Sequence, residues 1–358
     1  MHNKLIASVL SLFLGIVASE IIATNFLKVP VFSPNVYDSE IGWLPRANAY
    51  GWNQESGRFI KQGPGGWNDL DIGKTGNPGC SFNFYGDSFV EAAQYPAEYT
   101  FSEKSRNGIS GFSKCEGVLV NNFGVSGTGT LQQARILERL GTQHPAANSA
   151  LFIFLGNDLQ NNLYSDGLAP GFHDSSGTEK IVEPDTRGKL SRLKALIAPI
   201  TDYSATMRLV ANIVTGNNRF LVRDKSTVVS PINEDPRRGI TINEENYSRS
   251  IFAFQQSLEL SSKMANSVHT ELSYFLIPTG QEIAFGDTPF VNEVKRVFLD
   301  WCDQGNHKCV DTYPQLRARN KLEKNSQFHI SIDGHLNDLG HTQISKIVVD
   351  HFRDIGVQ

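Results

Sequence analysis

A chain of 358 residues with 40% apolar and 20% charged side chains can bury a sizeable core, which excludes a wholly disordered chain. Its formal net charge of −4, with no basic stripe to neutralise phosphates, excludes a general nucleic-acid binder. Short basic clusters such as Lys321 to Lys324 read as solvated surface.

The first element is apolar. Lys4 precedes an uncharged run from Leu5 to Ser19, which Glu20 interrupts and which resumes through Leu27. The run has the n-region and h-region of a signal peptide, with Val17-Ala18-Ser19 as a small-residue cleavage site. It is also just long enough to span a bilayer as a retained anchor, with Glu20 at the outer interface and Lys4 holding the N-terminus inside. Residues 1–28 are therefore read as a signal anchor or signal peptide, the anchor being preferred. Either reading sends the rest of the chain out of the cytosol.

Four cysteines fit that export, since an oxidising compartment pairs an even number. Cys80 and Cys115 each precede an apolar strand-like run and would meet if those strands are neighbours. Cys302 and Cys309 bracket "DQGNHK", a loop that one bridge would close. The competing zinc site lacks CxxC spacing, and no metal or cofactor is implied.

Residues 29–79 are rich in Pro, Gly, Asn and Trp, show little period, and read as an extended, turn-rich approach to the domain. From Cys80 the pattern changes. Short apolar runs at "SFNFYG", "GVLVNNFG", "ALFIFLG", "LSYFLIP" and "KCVDTY" alternate with segments of helical spacing such as "TLQQARILERLG" and "SRSIFAFQQSLELSSKMANSV". Nearly continuous apolar strands between helices imply a central parallel sheet covered on both faces, a three-layer α/β/α sandwich. Polar, Gly-rich sequence at about 159–246 reads as an insertion over the C-terminal edge of that sheet, and "LGHTQISKIVVDHFRDIG" as a closing amphipathic helix.

Four motifs follow predicted strands or precede the last helix: Gly86-Asp87-Ser88-Phe89, "NNFGVSGTGT", "FLGND" and "DGHLNDLGH". In a parallel sheet the C-terminal strand ends share one rim, so these distant residues can converge. The chemistry they support is acyl transfer. Ser88 is a weak nucleophile unless a base takes its proton, and His335 suits that task near neutral pH. Asp333 lies two residues before His335, so in an extended segment both side chains point the same way and the carboxylate can fix the imidazole tautomer. The backbone N–H of Ser88, the N–H of Gly127 and the side-chain amide of Asn157 supply oxyanion donors. Asp338 offers a second carboxylate near His335, while His341 and His351 are assigned to helical packing or exposure. Each motif also has a bland reading. Ser88 can cap a helix, Gly127 can serve a turn, and Asn157 with Asp158 can form an Asx-turn.

From Cys80 to the C-terminus the four blocks together resemble the SGNH hydrolases, also called GDSL esterases and lipases. The resemblance implies a flavodoxin-like α/β/α fold, Ser88 as nucleophile, Gly127 and Asn157 as oxyanion donors, and His335 as base. It departs from the usual last block, Asp-x-x-His, because here the order is Asp333-Gly334-His335. Some members, including alginate-acetylating relatives, use that shorter offset, so Asp333 keeps the orienting role. The form D-x-x-x-G-W-x-P, here Asp38 to Pro45, resembles bacterial envelope members in which an anchor precedes a Pro-rich segment. Such proteins are often linked to O-acetyl groups on polysaccharides. The expected function is a serine esterase of the cell envelope, extracytoplasmic and held to the inner membrane by its N-terminal helix, acting on an acylated glycan or small ester. The alternatives are an O-acyltransferase to a sugar hydroxyl and a non-catalytic glycan-binding scaffold, in which Trp43, Trp52 and Trp67 would stack on sugars.

Overall fold

The computed structural model describes residues 2–29, 35–53, 58–63, 65–70, 79–163, 169–175, 178–183, 204–214, 244–322, 328–329 and 334–357. Asp333 and most of the segment 159–246 lie outside the described residues.

Helix α1 (His2–Ile21) continues into a wider turn over Ile22–Phe26. The stretch Ile6–Phe26 is long and apolar enough to cross a membrane. Glu20, its only acid, is not left unpartnered: its carboxylate accepts from Ser204 Oγ at 2.8 Å and from the Thr206 backbone N–H at 3.1 Å.

Residues 35–53 and 58–61 make two short antiparallel pairs, β1 (Asn35–Asp38) with β2 (Gly42–Pro45) and β3 (Tyr50–Trp52) with β4 (Phe59–Lys61). Strands of three and four residues are too short to display a hydrophobic period, which is why the sequence reads here as turns alone. The segment nevertheless packs into the main domain. Ile41 and Trp67 are buried in its core, and the Trp67 ring meets that of Phe123 edge-on at 5.2 Å. Trp52 donates from its indole to Thr24 O at 2.7 Å. Trp67 is thus a core residue, and Trp43 packs partly buried against the same cluster.

The chain then runs through β5 (Cys80–Gly86), α2 (Ser88–Glu91), α3 (Phe101–Ile109), β6 (Val118–Gly124), α4 (Thr130–Gln143), β7 (Asn148–Phe154) and α5 (Asp158–Asn161). An antiparallel pair, β8 (Gly171–Ser175) with β9 (Thr178–Val182), and helix α6 (Ala205–Val214) follow. Next come α7 (Glu244–Ser267), β10 (Glu271–Ile277), α8 (Gly280–Phe285), α9 (Pro289–Gly305), β11 (Lys308–Asp311), α10 (Tyr313–Leu322) and α11 (Asp338–Asp354).

Five strands form one parallel sheet in the order β11-β10-β7-β5-β6. Numbered among themselves these are 5-4-3-1-2, the doubly wound order of flavodoxin-like folds. Alternate residues feed opposite faces. Tyr85, Leu151, Ile153, Tyr274 and Leu276 join a core with α4, α7 and α9, whereas Phe82, Phe84, Phe152, Phe275 and Ile277 join a core with α3 and α11. The architecture is the three-layer α/β/α sandwich that the apolar runs imply.

One polar pair sits inside the sheet. Asn83 and Asn121 are register partners on β5 and β6, both buried, and Asn121 Nδ2 donates to Asn83 Oδ1 at 2.8 Å. Asn83 Nδ2 in turn donates to His144 O at 2.7 Å, at the C-terminal end of α4. Two disulfides complete the frame, Cys80 with Cys115 and Cys302 with Cys309. The first joins the start of β5 to the loop before β6, and the second joins the end of α9 to β11.

Candidate active site

In this strand order the direction of winding reverses between β5 and β7, and such a reversal opens a crevice outside the carboxyl ends of the strands. The chain turns from Gly86 directly into α2 there. Asp87 is the N-cap: its Oδ1 accepts from the Phe89 N–H at 2.9 Å. Capping therefore falls to Asp87, and the Ser88 hydroxyl stays available at the first helical position. Ala92, in the left-handed conformation, ends the helix after one turn.

The loop after β6 lies against that turn. Val125 N–H donates to Gly86 O at 3.0 Å, and a Cβ on Gly124 would collide with the backbone nitrogen of Glu91. Glycine is required there because the two loops touch through their backbones. Gly127 has φ +77°, and the space where its side chain would stand is open.

Asn157 follows β7 and precedes α5. Its side chain does not cap that helix, and its polar group lowers the pKa of the neighbouring Asp87 carboxyl. Asp158 is buried and accepts from the Phe154 N–H at 3.1 Å and from Gln133 Nε2 at 3.2 Å. Desolvation raises the pKa of both Asp87 and Asp158, and the charge of Asp87 raises Asp158 further.

His335 arrives from the other end of the chain. Gly334, at φ +80°, turns the backbone, Leu336 bridges to His329, and Asn337 caps α11 by accepting from the Gly340 N–H at 2.9 Å. The imidazole Nε2 then lies 2.7 Å from Ser88 Oγ, with the Phe89 ring 5.3 Å away, centroid to centroid. Ser88, Asn157 and His335 are each partly buried and Gly127 is exposed, so the group borders solvent.

Asp338 does not share this cluster; it is exposed and pairs with Lys104 at 2.9 Å. His341 is buried in helix packing, where its Nδ1 accepts from the Phe101 N–H at 3.3 Å, and His351 bonds Ser273 Oγ at 2.9 Å. Among the described residues no group of three or more His, Cys, Asp or Glu side chains is placed to hold a metal ion.

Two carboxylates have roles that the motifs do not show. Asp87 was visible as part of a motif, and the cap signature of an acid before a helix would have found it. Glu91 was not singled out, although an acid inside "SFVEAA" signals either an exposed face or a buried partner. It is buried and accepts from the Ser126 N–H at 2.8 Å and from the Ser126 hydroxyl.

No family model matches the chain. No curated protein matches it. Among solved structures it is similar to an acetylxylan esterase from Geobacillus stearothermophilus, with 11% identity over 80% of this chain and 98% of that one, at a TM-score of 0.43. It is also similar to a lipase/acylhydrolase from Enterococcus faecalis, with 12% identity over 77% and 96% of the two chains, at a TM-score of 0.41. At these scores the likeness carries no functional argument, and the chemistry rests on the residues of the crevice.

Proposed function

We propose that this protein is a serine esterase that forms an acyl-serine intermediate on Ser88. The observation that carries the reading is the 2.7 Å contact between Ser88 Oγ and His335 Nε2 at the switch point of the sheet. His335 takes the hydroxyl proton as Oγ bonds the acyl carbon, and the carbonyl electron pair moves onto oxygen. The N–H groups of Ser88 and Gly127 and the amide of Asn157 receive that oxyanion. Its collapse expels the alcohol, which takes the proton from His335, and water repeats the sequence to release the acid. Asp333 is assigned the orientation of His335, as the resemblance to SGNH hydrolases implies.

The substrate class in this reading is an acyl ester, an O-acetylated envelope carbohydrate or a small ester. The apolar helix and two disulfides support an extracytoplasmic protein held at the inner membrane. Transfer of the acyl group to a sugar hydroxyl uses the same intermediate and differs only in the acceptor. The glycan-scaffold reading is disfavoured by Trp67, which is buried against Phe123.

The test uses the full chain in detergent micelles. Hydrolysis of p-nitrophenyl acetate and labelling by a fluorophosphonate are both expected, and Ser88→Ala should abolish the labelling. Hydrolysis no faster than that of Ser88→Ala, together with no labelling of the wild type, would rule the reading out. Adding an oligosaccharide acceptor separates hydrolysis from transfer by the appearance of acylated sugar.

A further inference from the structure

Glu91 is the fourth and last residue of α2, three positions after Ser88, and is 1% exposed. A carboxylate buried so completely is costly unless hydrogen bonds compensate it, and desolvation accordingly raises its pKa. Its partners are specific. One oxygen accepts both the backbone N–H and the hydroxyl of Ser126, and the other accepts from Gln62 Nε2 at 3.4 Å. Gln62 is itself buried and lies just past β4. The Asn122 side chain ties the same loops a second time, donating to Val90 O at 2.8 Å and accepting from the Gly124 N–H at 3.0 Å.

Ser126 and Gly127 are the central residues of a turn closed by the Thr128 N–H on Val125 O at 3.3 Å, and because glycine tolerates either backbone hand that turn does not by itself fix the peptide between them. We propose that Glu91 is a positioning residue that clamps Ser126 and so aims the Gly127 N–H at the acyl oxygen carried on Ser88. The proposal rests on the esterase reading above. It places the clamp and the nucleophile on the same helical turn. Preorganised donors act mainly on the transition state, so loss of the clamp lowers kcat and leaves KM nearly unchanged.

The experiment measures kcat and KM for p-nitrophenyl acetate on the full chain in detergent. Rates are expressed per site titrated by a fluorophosphonate, with Ser88→Ala as the baseline. Glu91→Ala is expected to lower kcat by about 10²-fold with KM within about twofold. Glu91→Gln, whose amide oxygen still accepts from Ser126, should recover kcat to within about fivefold of wild type. If Glu91→Ala keeps the wild-type kcat per site, or Glu91→Gln falls as far as Glu91→Ala, or KM alone changes, the clamp is wrong. Should Glu91→Ala fail to fold, Ser126→Ala removes only the hydroxyl bond. It should cost roughly 3- to 10-fold in kcat, and an unchanged kcat overturns the proposal. An inactive, unlabelled wild type would instead sink the esterase reading itself.

Discussion

His335 Nε2 stands 2.7 Å from Ser88 Oγ although 247 residues separate the two. One residue hangs on the N-terminus of α2 and the other on the short chain entering α11, and both helices are anchored at those ends by side-chain caps, Asp87 and Asn337. If this contact transfers the proton, His335→Ala should lose at least about 10³-fold in kcat while the protein still folds. Steady-state kinetics and the rate of fluorophosphonate labelling would check it, and near-normal labelling would contradict it.

Asn157 is expected to act through its amide, which leaves its own helix uncapped and acts on the Asp87 carboxyl. Asn157→Ala should lower kcat by about 10² with little change in KM. Asp87→Asn keeps the volume and the cap acceptor but weakens the hold on Asn157, so its loss should be smaller. Equal losses in the two variants would show that Asp87 does more than orient the amide.

Asn68 ties the N-terminal segment to the nucleophile turn. Its Nδ2 donates to Glu91 O, Ala92 O and Tyr95 O at 3.0, 3.0 and 2.9 Å, and its own carbonyl accepts from Asn122 Nδ2 at 3.2 Å. Asn68→Ala takes this donor from the buried Glu91 and Tyr95 carbonyls, while Ala92 O keeps the Tyr95 N–H, and should destabilise the protein by about 1–3 kcal/mol. Chemical denaturation measures it, and an unchanged midpoint would refute the bracing role.

The two disulfides should differ in weight. They close loops of 35 and 7 residues, for which chain entropy gives about 4 and about 2.5 kcal/mol. The pair of substitutions Cys80→Ala and Cys115→Ala should therefore cost more than Cys302→Ala with Cys309→Ala. Denaturation of the two double variants compares them directly, and the reverse order would contradict the entropic account.

His341 predicts a pH dependence. Its burial lowers its pKa to about 3, and the charges of Lys104, Asp338, His335 and His329 act on it as well. The unfolded chain then binds the extra proton below about pH 6.5 while the folded chain does not, so this contribution is complete above that pH and is lost as pH falls toward 3. Relative to His341→Asn, the wild type should lose about 2 kcal/mol between pH 7 and pH 5. Denaturation at both pH values measures the gap, and a constant gap would exclude the buried neutral imidazole.

The sheet was legible because its strands are mostly apolar runs, and the motifs after three of those runs and before the last helix pointed to Ser88, Gly127, Asn157 and His335. Glu91 was not legible, since a single acid in an apolar stretch has no period and its meaning lies in contacts to Ser126 and Gln62, 35 and 29 residues away. The same holds for Asn68 and Trp67. Their segment lacks regular elements long enough to show a pattern, and its order comes from packing on β6 and α2.

The paired amides of Asn83 and Asn121 carry a consequence for assembly of the chain. Apolar strands such as β5 and β6 can slide past one another at little cost in burial, but a slip would strand both amides without partners in the interior. Because Gly86 and Gly124 are also register partners three residues further on, the same bond sets the height of the serine turn against the glycine loop. Misaligned pairings of the two strands are thereby penalised.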